Sequence, residues 1–206
     1  MRIVLPALLA LTLIAGSVQA EPVEARDVDP PTTRVGIHIG LGLGYRNVFS
    51  DTLPQGADQS CWLGRFEIGL SYAKIIGVKF QLGIGTFDWT IEEDRAVPMG
   101  HYLQSVDLYT LIPLGERWRL RPAAGYTFSS NLVDSQGTGF GDAQGFHLQL
   151  AGEFQLKEVL WLSAGVGYHL TGEYADIDID EPEVIIPDSV DAQHLDMFFQ
   201  VVFSLE

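Results

Sequence analysis

The feature that most narrows the possible folds is a two-residue alternation that recurs along the chain. In Val35 to Tyr45 the odd positions Val35, Ile37, Ile39, Leu41, Leu43 and Tyr45 are apolar, and every even position between them is Gly except His38. Side chains of a pleated strand point alternately to opposite faces, so period two means a strand with two unlike faces. A half-buried strand in water would carry Lys, Glu or Thr on its wet face. This one carries almost nothing there, so that face must look into a cramped space or at another backbone.

The same alternation recurs seven times. Trp62, Phe66, Ile68, Leu70 and Tyr72 oppose Leu63, Arg65, Glu67, Gly69 and Ser71. A third strand begins at Val78, and five more cover 101–112, 119–128, 146–156, 160–170 and 194–205. No segment sustains a helical period. The intervals are long after odd-numbered strands, at about 48–60, 92–100, 130–143 and 171–192, and short after even ones, at about 73–77, 113–117 and 157–159. An even strand count with short turns at one end and long loops at the other predicts an all-β fold. It is an eight-stranded antiparallel transmembrane β-barrel, up-and-down, with short periplasmic turns and long extracellular loops. Strands of roughly 9–11 residues suffice to cross a bilayer, and closure is required because lipid offers no partner to a sheet edge.

The glycine face then looks into the lumen, where eight strands leave room for little more than side chains. Gly36, Gly40, Gly42, Gly44, Gly83, Gly85, Gly165 and Gly167 are expected to make room for long side chains from other strands. A soluble ligand-binding barrel is the alternative, but it needs an apolar lumen and a polar exterior, the reverse of this pattern. Tyr45, Trp62, Tyr102, Phe128, Phe146 and Tyr168 fall at one set of strand ends, and Tyr72, Trp118, Phe154 and Phe203 at the other, as two interfacial girdles require. Phe87, Trp89 and Ile91 break parity with Ile84, which predicts a bulge near Thr86 or a strand that has risen above the lipid. Pro122 cannot donate to a ladder and is expected near a strand start.

The first residues, 1–20, read as a secretory signal peptide: Arg2, an apolar run from Ile3 to Ala15, and small residues at Val18-Gln19-Ala20. Residues 21–33 are acidic and Pro-rich and read as a flexible periplasmic leader, leaving 34–206 for the barrel. With 27 Asp+Glu against 12 Lys+Arg, the formal net charge of −15 excludes a nucleic-acid partner. The single cysteine, Cys61, permits no internal disulfide and is expected to be a packing residue.

The segments RPAAGYTFS (Arg121–Ser129) and SAGVGYHL (Ser163–Leu170) resemble strands of small outer-membrane β-barrels, the broad family that includes the OmpA transmembrane domain, OmpX and OmpW. The resemblance covers roughly 34–206. It implies a barrel in the outer membrane of a Gram-negative-type bacterium, surrounded by outer-membrane lipids and lipopolysaccharide, and it implies no particular activity and no cofactor. The last strand, LDMFFQVVFSL, looks like the signal read by the barrel assembly machinery, although the chain ends in Glu206 rather than an aromatic residue. No peptidoglycan-binding segment follows it, so an anchoring role is not implied.

Candidate functional residues fall in three groups. Arg65, Glu67, Lys79, Asp107, Arg119, Arg121 and Glu153 place both signs of charge in the lumen, where each must be paired to be tolerated. A turn centred on Leu114 sets Asp107 opposite Arg121, with Glu153 approaching Arg121 from the other side. Such a network is a structural plug, leaving a structural or surface-interaction role for the protein, or alternatively it gates a narrow conduit for small or hydrophobic solutes. His147, His169, His194 and Asp196 form the second group. All five histidines share lumen parity, and a turn centred on Glu158 makes His147 and His169 cross-strand neighbours. Such a cluster suits a Zn²⁺, Cu²⁺ or Ni²⁺ site or a pH-responsive mouth. The third group, Asp176, Asp178 and Asp180, lies on one face of an acidic loop and suits Ca²⁺ or Mg²⁺. A lipid A-modifying enzyme is a further alternative. Barrels resembling the deacylase carry a His-x-Ser pair facing the membrane, whereas this chain has His169-Leu170-Thr171 with His169 inward by parity, so no enzymatic activity is expected. An extracellular ligand would be met by the loops.

Overall fold

A computed structural model describes residues 35–49, 60–92, 95–133, 139–175 and 189–205. The expected signal peptide and leader, and Asp176, Asp178 and Asp180, lie outside the described residues. Among those described there is no helix. Eight long strands, β1 (Val35–Phe49), β2 (Ser60–Tyr72), β3 (Ile76–Glu92), β4 (Arg95–Thr110), β6 (Trp118–Val133), β8 (Gly145–Lys157), β9 (Leu160–Ala175) and β10 (Ser189–Leu205), form the wall. Two short pieces, β5 (Ile112–Pro113) and β7 (Gly139–Asp142), pair with the ends of β6.

Each wall strand pairs antiparallel with the next, and β1 pairs with β10 from Ile37↔Leu205 to Phe49↔Gln193, which closes the barrel. The chain turns back within a few residues at one end, hereafter the turn end. There the β2–β3 hairpin is closed by Ile75 N donating to Tyr72 O (3.1 Å), with positive φ at both Ala73 and Lys74, the sign pattern of a type I′ turn.

The alternation sorts the side chains as expected. On β1, Val35, Ile37, Ile39, Leu41 and Leu43 are exposed while His38, Gly44 and Arg46 are buried, and the other strands follow suit. The outer face is therefore a continuous apolar belt. Aromatic pairs mark its edges: Tyr45 against Trp62 (centroids 5.2 Å apart) and Tyr126 against Phe146 (5.3 Å) towards the loop end, Trp118 against Phe154 (4.7 Å) at the turn end. Buried Cys61 faces inward beside Arg46.

One of two alternatives is excluded and two local expectations are corrected. Of the readings offered for the parity break in β3, the bulge near Thr86 is absent: β3 pairs with β4 in one register from Ile76↔Thr110 to Thr90↔Ala96 and shifts only at Glu92↔Arg95. Most of the supposed loop at 92–100 is consequently strand, since β4 begins at Arg95. Lipid against lumen imposes the alternation, so the pattern fades where a ladder leaves the bilayer, while the backbone pairing continues. Finally, the β4–β6 turn does not centre on Leu114. Leu114 N donates to Trp118 O (2.8 Å) and Ile112 pairs with Leu120, which puts Glu116 at the centre and sets Asp107 opposite Gly125 rather than Arg121. Pro122 sits where the β4 ladder has ended at Tyr109↔Ala123 and β5 resumes at Ile112↔Leu120, so its missing N–H falls at a break in the pairing.

Leu41, near the middle of β1 on the outer face, reports the lipid contact. Leu41→Arg is expected to cost about 2–4 kcal/mol of folding free energy in bilayers, read as a shifted urea midpoint for refolding into vesicles.

Candidate functional site

The lumen is filled in two layers. The lower layer, in the middle of the barrel, is a chain of ion pairs. Arg121 Nη1 donates to Glu67 Oε1 at 2.5 Å, and its Nε lies 2.9 Å from Glu153 Oε1. Arg119 Nε donates to the other Glu153 oxygen at 2.6 Å, its guanidinium 3.8 Å above the Trp161 ring. Lys79 Nζ donates to Glu67 Oε2 (3.2 Å) and to Gln149 Oε1, and lies 3.4 Å from Asp107 Oδ2. Arg65 donates to Gln81 (2.7 Å) and stacks over Phe198. All seven expected charges are thus buried and brought together. Glu153 meets Arg121 as expected, whereas Asp107 serves Lys79 and a histidine because of the shifted turn.

The sequence lets these arms cross because the strands facing them lack side chains. A Cβ on Gly40 would lie 2.5 Å from Glu67 Cγ, and Glu67 cannot swing away without leaving Arg121 and Lys79. Beside these charges Tyr109, Leu111 and Ala123 pack as a small apolar cluster.

The upper layer, towards the loop end, is built on one cross-strand row. Asp107, Gly125, His147, His169 and His194 are successive partners across β4, β6, β8, β9 and β10. Because position 125 has no side chain, His147 reaches across it: His147 Nε2 lies 2.6 Å from Asp107 Oδ1, where a Cβ on Gly125 would come within 2.2 Å of the same oxygen. His147 and His169 stack with centroids 4.6 Å apart and planes 16° apart. His169 Nε2 lies 3.1 Å from Asp196 Oδ2, and Arg46 grips both Asp196 oxygens from Nε and Nη2, each at 2.7 Å. Arg46 Nη1 also donates to the His101 ring (3.2 Å), whose centroid lies 5.4 Å from that of His194.

The row makes His147 and His169 direct partners and brings His194 and Asp196 to them. Among the described residues no three His, Cys, Asp or Glu side chains are placed to hold a metal ion. Stacked rings direct their nitrogens along parallel planes rather than to one point, and Arg46 occupies both oxygens of Asp196. Arg46 is the residue that sequence reasoning missed. It continues the parity of His38, Gly40, Gly42 and Gly44, and one further step beyond Tyr45 would have placed it in the lumen.

A closed antiparallel barrel with an apolar belt outside and paired charges inside is a transmembrane β-barrel. The profile described as "Outer membrane protein beta-barrel domain" matches residues 7–194, and the chain belongs to that family. It is therefore a small integral protein of the Gram-negative outer membrane, with its turn end periplasmic and its loop end extracellular. No curated protein sequence matches it. Solved structures share the fold at low identity. Neisserial surface protein A superposes with a TM-score of 0.60 at 9% identity, over 81% of this chain and 96% of that one. OprG of Pseudomonas aeruginosa gives 0.56 at 10% identity, over 84% and 97%. Ail, the attachment invasion locus protein of Yersinia pestis, solved in complex with the heparin analogue sucrose octasulfate, gives 0.53 at 12%, over 84% and 99%.

Arg121 bridges two carboxylates, so removing it strands charge in the lumen. Arg121→Met is expected to destabilise the folded barrel by about 3–5 kcal/mol. The Arg121→Met, Glu67→Gln double variant should recover part of that loss. A double-mutant cycle on urea midpoints measures the coupling, and additive effects would mean that the pair contributes nothing.

Proposed function

We propose that the protein is a sealed structural barrel that presents its extracellular connections for interaction at the cell surface. One observation carries this reading: the lumen is crossed by buried, mutually paired charges, with Arg46, Arg121 and Lys79 the bulkiest of the fully buried side chains. Driving a solute through would separate those pairs in a narrow, low-dielectric channel, which costs far more than displacing loose water. The belt is surrounded by outer-membrane lipids and lipopolysaccharide, and the last strand is inserted by the barrel assembly machinery. A ligand, if the protein has one, meets the extracellular connections. Ail binds a polyanion analogue, but the segment EYADIDIDEPEVIIPD of this chain is strongly acidic, which disfavours a polyanion and favours a cationic partner. The reading is non-enzymatic, because His169 of the His169-Leu170-Thr171 segment is buried in the lumen rather than turned to lipid.

Planar-bilayer recording at neutral pH tests the sealed lumen. The wild type is expected to give no stable conductance, and Lys79→Ala, Arg121→Ala is expected to leak. A reproducible wild-type pore, or liposome swelling with small solutes, would establish the conduit instead. Mass spectrometry of lipid A with and without the protein should show no change in acylation.

A further inference from the structure

The two lumen layers differ in what holds them. The lower one is held by Arg, Lys and carboxylates, side-chain types that in water keep their charges between pH about 5 and 8, whereas the upper one is built mainly of imidazoles, the side-chain type that in water titrates near 6.5. Its geometry requires at least one ring, that of His101, to be neutral. Arginine only donates hydrogen bonds, so the His101 nitrogen that accepts from Arg46 Nη1 carries no proton. Protonating it breaks that bond and sets two cations side by side.

The surroundings offer little compensation. From β4 comes Asp107, already shared by Lys79 of β3 and His147 of β8. From β10 comes Asp196, already gripped by Arg46 of β1 and touched by His169 of β9, with Arg65 of β2 3.8 Å away. The side chain that β6 directs at the rings is the uncharged Thr127, 3.5 Å from both His147 and His169. Among the described residues, two carboxylates therefore face four imidazoles, Arg46, Lys79 and Arg65. Protons beyond those two carboxylates accumulate on rings whose centroids lie 4.6 to 6.4 Å apart.

We infer that the His101–His147–His169–His194 layer is an acid-released latch. As the imidazoles take up protons, the loop-end half of the plug loosens and opens a vestibule from the extracellular side. The vestibule reaches down to the ion-pair layer, which stays shut. The inference rests on the sealed-lumen reading and adds its regulation: the site admits small solutes from outside in acid without becoming a through-pore.

Cys61 is a built-in reporter. It is buried in the lumen, paired with Arg46 across β1 and β2, and is the single cysteine of the chain. The wild-type protein in vesicles is treated with dithiodipyridine, a small thiol reagent that remains reactive in acid, and the rate is divided by that of the unfolded chain at the same pH. Cys61 is expected to be protected at pH about 7.5 and to react more than about tenfold faster at pH about 5.5, as linked uptake of one or more protons requires. His101→Gln, His147→Gln should retain the protection at pH about 5.5. Bilayer conductance should stay silent at both pH values. Unchanged protection in the wild type overturns the latch, as does a Gln variant that opens as fully as the wild type. Labelling or conductance already present at pH about 7.5 defeats the sealed-lumen reading itself, so the two failures are distinguishable.

Discussion

Everything in this molecule depends on the ladder between its first and last strands. In hydrocarbon a strand edge has no water to satisfy its N–H and C=O groups, and each one left unpaired costs several kcal/mol. The pairing of β1 with β10 over Ile37↔Leu205 to Phe49↔Gln193 removes both edges at once. Closure at eight strands fixes the bore, and the bore decides what the inward positions can be. With so little space, side chains cannot be placed independently. A glycine on one strand is the condition for a long arm on the next, as at Gly40 beside Glu67 and Gly125 beside Asp107.

Closure also changes the electrostatics. A charge directed inward leaves water behind as fully as one in a protein core, and the lumen contains charges from nearly every strand. They persist because each cation reaches a carboxylate of another strand: Arg121 joins β6 to β2 and β8, Lys79 joins β3 to β2 and β4, and Arg46 joins β1 to β10. Such pairs are weak evidence for stability relative to an apolar filling, but breaking one is expensive. The sealed lumen proposed for the protein rests on this asymmetry, since passage would separate those pairs.

The sequence made the fold legible because lipid and lumen impose opposite chemistries on alternate residues. Parity alone put all five histidines and all seven expected charges in the lumen. It failed where that contrast ends. Arg46 lies one step beyond the alternation that ends at Tyr45, and the β3–β4 ladder continues beyond the point where lipid disciplines composition. The β4–β6 register differs from a turn centred on Leu114 because the pairing of Ile112 with Leu120 moves the centre to Glu116. The contact of His147 with Asp107 was invisible for a related reason: it passes over a glycine, and whether two neighbours of a glycine touch depends on register that composition does not encode. Ring orientation, such as the 16° between the planes of His147 and His169, is likewise contained in no spacing rule.

The ion pairs do one thing that the apolar belt cannot. A strand that slips by one residue turns its lipid face inward and is rejected at once. A slip by two residues keeps every apolar side chain in lipid and every polar one inside, so hydrophobicity is blind to it. Arg121 is not blind to it, because two residues along β6 displace its guanidinium by about 7 Å, beyond reach of Glu67 or Glu153. The charges buried in the lumen thus choose one alignment among several that the membrane would accept equally. They serve as a proofreading step on a closure whose driving force, taken alone, is degenerate.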